Sequence, residues 1–557
     1  MNIRKLLVAN RGEIAIRVLR AATELGIPTV AVYTYEDRYS LHRYKADEAY
    51  QIGRDDEPLK PYLDIEGLLR VAQENGADAI HPGYGFLSEN ATLSRRCREE
   101  GIIFVGPNPD VMESLGDKVR AKEVAQQCQV PQIESSEAEL NDFETARSEA
   151  QRIGYPVMLK AASGGGGRGM RIIRDDEQLE KGFFEARNEA LNAFGDDTVF
   201  LEKFVERPKH IEVQLVGDQH GNLVHLYERD CSVQRRFQKV VEVAPALDLA
   251  DHQRHLLYEY ALRIGRAVGY DNVGTVEFLV NPELDRIYFI EVNPRIQVEH
   301  TVTEMITGVD LIKTQLYIAA GFKLSDPEIG LGPDVVPLRS GFAVQCRITT
   351  EDPTNDFKPD YGTIVAYRSA GGFGIRLDEG SVYQGAVISP FFDSLLVKVS
   401  AHAPTLKGAA QRMRRALAEF RVRGVKTNIP FLDNIVAHPE FRAGQATVDF
   451  IKDHPELFEF KPRQDRGTRL LGFMGEVIVN GNPDVKNNLD PRRTLRKPRL
   501  PTIDMPAVWR LHTGNQAPKN GWRVYPPASA FVPGTKNRLT ELGPEGFANW
   551  LRAEPLI

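Results

Sequence analysis

Apolar residues come in short bursts over the first hundred positions. Residues 3–9 (IRKLLVA) make a strand-length run, followed by NRGE and a stretch over 14–25 with helical spacing. Residues 27–33, 79–80 and 102–105 are further strand-like runs, the third closed by the turn-rich HPGYGFLSEN and the fourth by GPNP. Strands alternating with a helix at this rhythm predict a parallel α/β sheet. No GxGxxG follows the first strand, so the domain over about 1–115 is Rossmann-like without a dinucleotide fingerprint. GDKVRAKEVAQQCQVP then predicts a helix from near Asp117 that ends by Pro131, and an acidic loop leads to YPVMLKAASGGGGRGMRIIR, two strand-like runs around a glycine loop. Residues 197–204 read as a short strand, and HIEVQLVGDQHGNLVHLYERD alternates through a hairpin turning at GDQHGN. A helix over about 252–268 precedes the strand TVEFLV, a turn at Asp285 and Arg286, the strand YFIEVN and a second helical segment, TEMITGVDLIKTQLYIAAG. This is an α+β layout over about 116–330. Over 335–450 the pattern becomes mainly β, with one amphipathic helix, GAAQRMRRALAEFRV. Beyond 455, RQDRGTRLLGFMGEVIVNG reads as helix then strand, residues 482–535 as a partly disordered connector rich in Pro, Arg and Asn, and LTELGPEGFANWLRAEP as a last amphipathic helix.

Within that pattern, YFIEVNPRIQVEH (288–300) is the most unusual stretch. Taken as extended chain, its side chains alternate, so one face carries Phe289, Glu291, Asn293, Arg295, Gln297 and Glu299 and the other Ile290, Val292, Pro294, Ile296 and Val298. Carboxylate and amide oxygens suit a hard divalent cation, and a guanidinium suits a small planar oxyanion. A half-buried strand with a salt-bridged polar side would show the same alternation. Glu277 lies on the preceding strand, and a hairpin would bring it beside Glu291 and Asn293. Two carboxylates that close need a cation, or one takes up a proton.

Composition narrows the setting. At 557 residues, with 42% hydrophobic and 26% charged positions, the chain expects three or four globular domains. A net charge of −7 gives no electrostatic reason to expect nucleic acid or an anionic membrane as partner. No apolar run reaches the roughly 18 residues of a membrane span. Cys97, Cys128, Cys231 and Cys346 are scattered without metal-type spacing, so reduced thiols in a cytoplasm are expected. The N-terminus shows neither a signal peptide nor a transit peptide.

The glycine run 164–169 (GGGGRG) joins two β runs, and its bare backbone N–H groups can close over phosphates as a mobile lid, although a plain flexible loop has the same composition. Lys118 and Lys160 are the cations best placed in sequence to meet those phosphates. His210, Gln234, Arg235, Arg236 and Lys239 cluster in HIEVQ and SVQRRFQKVVE beside an apolar VVEVAP segment, so they line something rather than form a solvated face.

These segments together resemble the ATP-grasp fold and, within it, the biotin carboxylase component of biotin-dependent carboxylases. VANRGEIAIR, HPGYGFLSEN, GDKV, LKAASGGGGRGM, ERDCSVQRR, FIEVNPRIQVEH and GFAVQCR carry the resemblance over about residues 3–450. SLHRYKADEAYQIG, TTEDPTNDFKPDYGTIVAYRSAGGFGIRLD and the stretches beyond 460 are most similar to the N-terminal part of the pyruvate carboxylase family. The resemblance implies a Rossmann-like pre-ATP-grasp domain, an ATP-grasp domain with a glycine-rich lid over about 132–204, and a mainly β C-terminal biotin carboxylase domain. It implies ATP binding by Lys118, Lys160, Gly165, Gly166, Gly167, Met170, Glu202, Lys203, His210, Gln234, Phe237 and Leu279. Mg²⁺ or Mn²⁺ would sit on Glu277, Glu291 and Asn293, and bicarbonate on Lys239, Arg295, Gln297 and Val298. Glu299 would be the base, and Arg347 would stabilise the enolate-like oxygen of biotin. Arg17, Glu24, Phe373, Arg376 and Asp393 match positions at a subunit interface, which implies a homodimer. Phe237 departs from the pattern, since many relatives place a histidine there. The implied activity is carboxylation of biotin as the first half-reaction toward oxaloacetate; a subunit of acetyl-CoA or another acyl-CoA carboxylase, another ATP-grasp ligase, and a silent assembly partner are the alternatives. No biotinyl-lysine motif or carboxyltransferase barrel follows, so the carrier and carboxyltransferase domains are expected outside this chain.

Overall fold

The computed structural model describes residues 2–136, 140–161, 170–194, 197–281, 286–332, 335–460 and 470–474, apart from the side chains of Lys118, Ala193 and Phe194. The glycine run 164–169, Asp285, the connector 482–535 and the last predicted helix lie outside the described residues. The chain divides into units 1–460 and 461–557, and the first holds every element discussed below.

The N-terminal sheet is parallel, in the order β3-β2-β1-β4-β5, with β1 Leu6–Val8, β2 Thr29–Tyr33, β3 Glu48–Gln51, β4 Ala79–His81 and β5 Ile103–Phe104. Leu6, Leu7 and Val8 are fully buried, as expected of a strand covered on both faces. Helix Gly12–Glu24 follows β1 and buries Ile14, Ala15, Val18, Leu19 and Ala22, the i, i+4 stripe read from the sequence. β3 (EAYQ) has no apolar signal of its own and is a strand because β2 offers it a partner edge. At the carboxyl ends of β1 and β4, Asn10 Nδ2 donates to Pro82 O at 2.7 Å and Tyr84 O at 2.8 Å. Gly83 there has φ +66°, and a Cβ would lie 2.9 Å from Asn10 Nδ2, so the two loops touch only because residue 83 has no side chain.

A small antiparallel sheet, β7-β6-β8, follows, with β6 Val157–Ala161, β7 Met170–Ile173 and β8 Val199–Lys203. Its core joins Val157, Leu159 and Leu201 to Phe183 from helix Asp176–Phe194. The segment before it, expected to be an acidic loop, contains helix Phe143–Ile153. Asp142 caps that helix by accepting from Thr145 N at 2.8 Å, and its buried stripe is Ala146, Ala150 and Ile153. Two of those three are alanines, a stripe too weakly apolar to stand out from its charged surroundings.

The largest sheet has eight strands. β9 Lys209–Gly217, β10 Leu223–Arg235, β11 Gln238–Ala244, β12 Asn272–Asn281, β13 Arg286–Asn293 and β14 Phe342–Thr349 are joined by strands Leu395–Ala403 and Ile375–Glu379, in the order β13-β12-β9-β10-β11-β14 followed by those two. β14 pairs with β11 from Cys346↔Val241 to Ala343↔Ala244. The sheet therefore runs through the boundary that the change of pattern near 330 suggested. Helix Leu406–Glu419 packs its Leu406, Ala409, Ala410, Met413 and Leu417 side onto the far end. No helix among the described residues is long and apolar enough to cross a membrane.

Candidate active site

A cleft of about 1690 Å³ opens between the small and large sheets and the loops after β1 and β4, and most of the predicted residues line it. Glu277 on β12 and Glu291 on β13 are direct partners in the antiparallel ladder, and Thr275 pairs with Asn293. The hairpin inferred from sequence is present. The even alternation along 288–300 is not. Glu277 pairs with Glu291 but Phe278 pairs with Phe289, so Ile290 is an extra, bulged residue. Phe289 consequently leaves the polar face and packs its ring against Phe278 in the core. The strand stops at Asn293, because Pro294 cannot donate to a ladder, and Glu299 stands at the N-cap of helix His300–Thr307.

Despite that break, the polar residues converge. Lys239 Nζ donates to Glu212 Oε2 at 2.5 Å, Glu299 Oε1 at 2.7 Å and Glu277 Oε1 at 2.9 Å. Asn293 Nδ2 and Gln297 Nε2 also donate to Glu277 Oε1, at 2.9 and 2.7 Å. His210 Nε2 lies 2.6 Å from Glu277 Oε2, and Gln234 Nε2 is 2.8 Å from His210 Nδ1. With Gln234 donating, Nδ1 accepts and Nε2 carries the proton toward Glu277. Arg347 from β14 donates to Glu242 Oε1 at 2.5 Å and Glu299 Oε2 at 3.1 Å. Arg295 joins Glu89 at 2.6 Å and Asn293 Oδ1 at 2.8 Å. The carbonyl of Val298 accepts from Lys398 Nζ at 2.9 Å, and Lys398 reaches Glu13 at 3.1 Å.

Beneath this layer sits Arg229, fully buried. It binds Glu212 through Nε, Gln214 and Thr303 through Nη1 at 2.7 and 2.9 Å, and Gln297 and Thr275 through Nη2 at 2.8 and 3.0 Å. Glu212, Arg229 and Glu242 escaped the sequence reading. A signal existed: His210, Glu212 and Gln214 fall at i, i+2 and i+4, alternating with the apolar Ile211, Val213 and Leu215, so one face of β9 is polar although Glu212 and Gln214 are buried.

Burial favours the protonated form of Glu299, but Lys239, Arg347 and Arg229 outweigh it and hold the carboxyl far below its usual range. Glu277 is likewise lowered, burial being overcome by Lys239 and His210. Glu242 moves the other way: burial raises it, Arg347 counteracts only partly, and Glu299 adds repulsion. Lys239 keeps its charge, since its three carboxylates outweigh its desolvation.

At the other wall of the cleft Glu202 accepts from Lys160 and, at 2.9 Å, from Lys122. Lys203 lines the cleft, but its Nζ donates to Gly154 O and Tyr155 O at 2.7 and 3.0 Å and its amide to Glu134 O at 2.7 Å, so two of its three ammonium donors are engaged within the protein. Met170 on β7 and Leu279 on β12 supply apolar lining. Phe237 is 63% exposed at the β10–β11 turn with φ +64°. Arg235 and Arg236 are drawn away from the cleft centre to Asp356, at 2.5 and 2.8 Å. Lys118's side chain and Gly165, Gly166 and Gly167 lie outside the described residues. Of the five positions matched to a subunit interface, Phe373 is 87% exposed, while Arg17 is buried on Glu304 and Asp310 at 2.9 and 2.6 Å and Arg376 joins the same Glu304 at 2.5 Å. Glu24 pairs with Lys313 at 2.6 Å, and Asp393 accepts from Leu395 N at 2.8 Å.

Residues 2–112 match the biotin carboxylase N-terminal domain family, 117–327 the ATP-binding domain of carbamoyl-phosphate synthase L chain, and 345–453 the biotin carboxylase C-terminal domain. The solved biotin carboxylase domain of Hydrogenobacter thermophilus 2-oxoglutarate carboxylase, a dimer in complex with MgADP, ADP and bicarbonate, is 48% identical to this chain. It superposes with a TM-score of 0.76, covering 82% of this chain and 99% of that one. The chain belongs to the biotin carboxylase family. It is an enzyme of the carboxylase-ligase type, with an ATP-grasp fold. Among longer biotin carboxylase relatives, Staphylococcus aureus pyruvate carboxylase is 50% identical over 552 residues, 99% of this chain and 46% of that protein. Rhizobium etli pyruvate carboxylase, solved with the allosteric activator acetyl coenzyme A, is 50% identical with a TM-score of 0.77, covering 99% of this chain and 47% of that one. The chain thus spans about half the length of the curated relatives it matches.

Proposed function

We propose that this chain carries out ATP- and bicarbonate-dependent carboxylation of biotin presented by a carrier domain, the first half-reaction of pyruvate carboxylation. The supporting observation is the buried Lys239 amine among Glu212, Glu277 and Glu299, with Arg347 on the far oxygen of Glu299. It joins a base, an anion-binding cation and a guanidinium in one cleft.

ATP is assigned to the wall made by Lys160, Met170, Glu202, His210, Gln234 and Leu279, bordered by Lys203 and Phe237; Lys118, Gly165, Gly166 and Gly167 are added to its binding residues by the family resemblance alone. Glu277, Glu291 and Asn293 present two carboxylates and an amide oxygen, a donor set that fits Mg²⁺ or Mn²⁺. The cation, when bound, neutralises charge on the transferring phosphoryl group. Arg295, Lys239 and Gln297 hold bicarbonate at the turn that carries Val298. Lys239, Arg347 and Arg229 hold Glu299 ionised and lower its proton affinity against the effect of burial. An anion placed against Lys239 competes for that amine and adds like-charge repulsion, so substrate binding itself raises the proton affinity of Glu299. Glu299 then takes the bicarbonate proton, and the freed oxygen attacks the γ-phosphorus as the bond to ADP breaks, giving carboxyphosphate. This splits to CO₂ and phosphate, and the phosphate takes the N1 proton of biotin. Arg347, aimed by its Nε contact to Glu242, balances the negative ureido oxygen while N1 attacks CO₂.

Purified chain supplied with ATP, Mg²⁺, bicarbonate and free biotin tests this. Phosphate release should require bicarbonate and rise with biotin; ATP cleavage indifferent to bicarbonate defeats the proposal. The acceptor is a separate question, because the 2-oxoglutarate carboxylase domain is as similar (48%) as the biotin carboxylase subunit of a pyruvate carboxylase (47%). Carboxybiotin formed here would serve either acid, and pyruvate is favoured by the match of stretches beyond residue 460. A second copy of this chain and separate carrier and carboxyltransferase domains are the partners that go with the reading. The four free cysteines support a reducing compartment such as the cytoplasm.

A further inference from the structure

The tripeptide His-Pro-Glu occurs twice near the end of the first unit, at 438–440 and 454–456. Each histidine stands at a corner between two helices. His438 ends helix Ile429–Ala437 and precedes Pro439–Arg442; His454 ends Phe450–Asp453 and precedes the tighter turn Pro455–Phe458. Proline at the first position of the second helix fixes the corner, so the imidazole and the glutamate two residues on leave it in a set geometry. The two corners face one another, with imidazole centroids 4.2 Å apart and the Phe450 ring 5.2 and 4.9 Å from them. His454 Nε2 lies 2.8 Å from Glu440 Oε2 and its Nδ1 2.9 Å from Glu456 Oε1. His438 Nε2 is 3.4 Å from Glu456 Oε1, while its Nδ1 is buried with no hydrogen-bond partner among the described residues. One ligand atom each from His438, Glu440 and His454 lie within 4.8 Å of one another.

We infer that His438, Glu440 and His454 form a second metal site, for a borderline transition-metal ion of the Zn²⁺ class, separate in residues and in chemistry from the Glu277 and Glu291 oxygen set. Two neutral imidazoles with one carboxylate are a zinc-type donor set, whereas Mg²⁺ prefers oxygen alone. Bonds of about 2.0–2.2 Å at tetrahedral angles put ligand atoms roughly 3.3 Å apart, so these side chains need only small rotations to surround an ion. Glu456 on the Nδ1 of His454 is a positioning residue: it fixes the tautomer that leaves Nε2 free to bind metal. An arrangement of plain ion pairs accounts for His454 between two glutamates, but it leaves His438 Nδ1 buried and unsatisfied. The ion would brace the segment after residue 443, whose Gly444 and Ala446 carbonyls accept from buried Lys209 on β9 at 2.6 and 3.0 Å. The site thus supports the ATP-binding sheet from outside the cleft.

The test uses the full chain, stripped of metal by chelation and dialysed. Equilibrium dialysis against Zn²⁺ should give one equivalent retained in Glu291→Gln but lost in His438→Gln and in His454→Gln. Glu456→Gln should weaken it about 10- to 100-fold. Co²⁺ in place of Zn²⁺ should show tetrahedral visible absorption, and excess Mg²⁺ should not displace it. Zn²⁺ retained by both histidine variants, or no bound equivalent in the parent chain, overturns the inference. Should a histidine variant fail to fold, X-ray absorption of the Zn²⁺-loaded parent chain decides: scattering from two imidazoles supports the site, and an all-oxygen shell overturns it.

Discussion

Arg347→Ala separates the two halves of the proposed chemistry and also leaves a signature in stability. The guanidinium is the partner of Glu242, whose side chain is fully buried and whose remaining contact is Gln345 Nε2 at 2.8 Å. Without Arg347 the Glu242 carboxyl, already raised by burial, keeps its proton in the folded state. The unfolded chain releases that proton above the ordinary value of 4.5. Folding then takes up a proton, so stability falls as pH rises, by about 1.4 kcal/mol per unit. The penalty fades well below pH 4.5, is about 0.8 kcal/mol at pH 5, and is at most about 3.4 kcal/mol at pH 7, the work of protonating an ordinary carboxyl there. Urea unfolding of parent and variant at pH 5, 6, 7 and 8 measures it. In turnover, loss of a charge-stabilising donor should cost about 10²–10³ in biotin carboxylation while bicarbonate-dependent ATP cleavage falls much less. A stability gap that does not change with pH removes Glu242 from the account, and equal loss of both activities removes Arg347 from the biotin step.

Glu291→Gln should raise the Mg²⁺ concentration needed for half-maximal ATP cleavage; an unchanged titration takes Glu291 out of the metal shell. Arg229→Met leaves Glu212 buried with Lys239 as its remaining cation and should cost about 3–5 kcal/mol in urea unfolding, since breaking a buried pair strands a charge. A loss below about 1 kcal/mol would mean that Lys239 alone satisfies Glu212. Phe237→His should be nearly neutral in stability, because the site is exposed and histidine tolerates its positive φ. It should lower the KM for ATP about five-fold, the worth of one net hydrogen bond; an unaltered KM means that the turn does not meet the nucleotide.

What the sequence made legible was the residues that carry an unusual chemical type within a recognisable period. Glu277 and Glu291 stood out as acids in apolar runs joined by a turn, and they are ladder partners. Period two could not reveal the bulge at Ile290, because an extra residue changes the register without changing the residue types. Phe289 was therefore assigned to the wrong face. Glu242 was harder, since a single acid in a strand looks the same whether solvent or a buried cation faces it. Only the neighbouring strand β14, which carries Arg347, decides that. Arg235 and Arg236 illustrate the reverse: a basic run beside the cleft turned out to fasten the β10–β11 turn to Asp356 in the C-terminal part.

The extra residue in β13 also sets what kinds of change this strand can absorb. Substituting Ile290 alters one side chain. Deleting it would restore an unbroken ladder, with Phe289 still opposite Phe278 and Glu291 still opposite Glu277. Deleting Val292 instead would make Glu291 and Asn293 consecutive and turn their oxygens to opposite faces. The bulge position is thus open both to exchange and to shortening, whereas a cut two residues further on would split the cation-binding oxygens with every one of them still present in the chain.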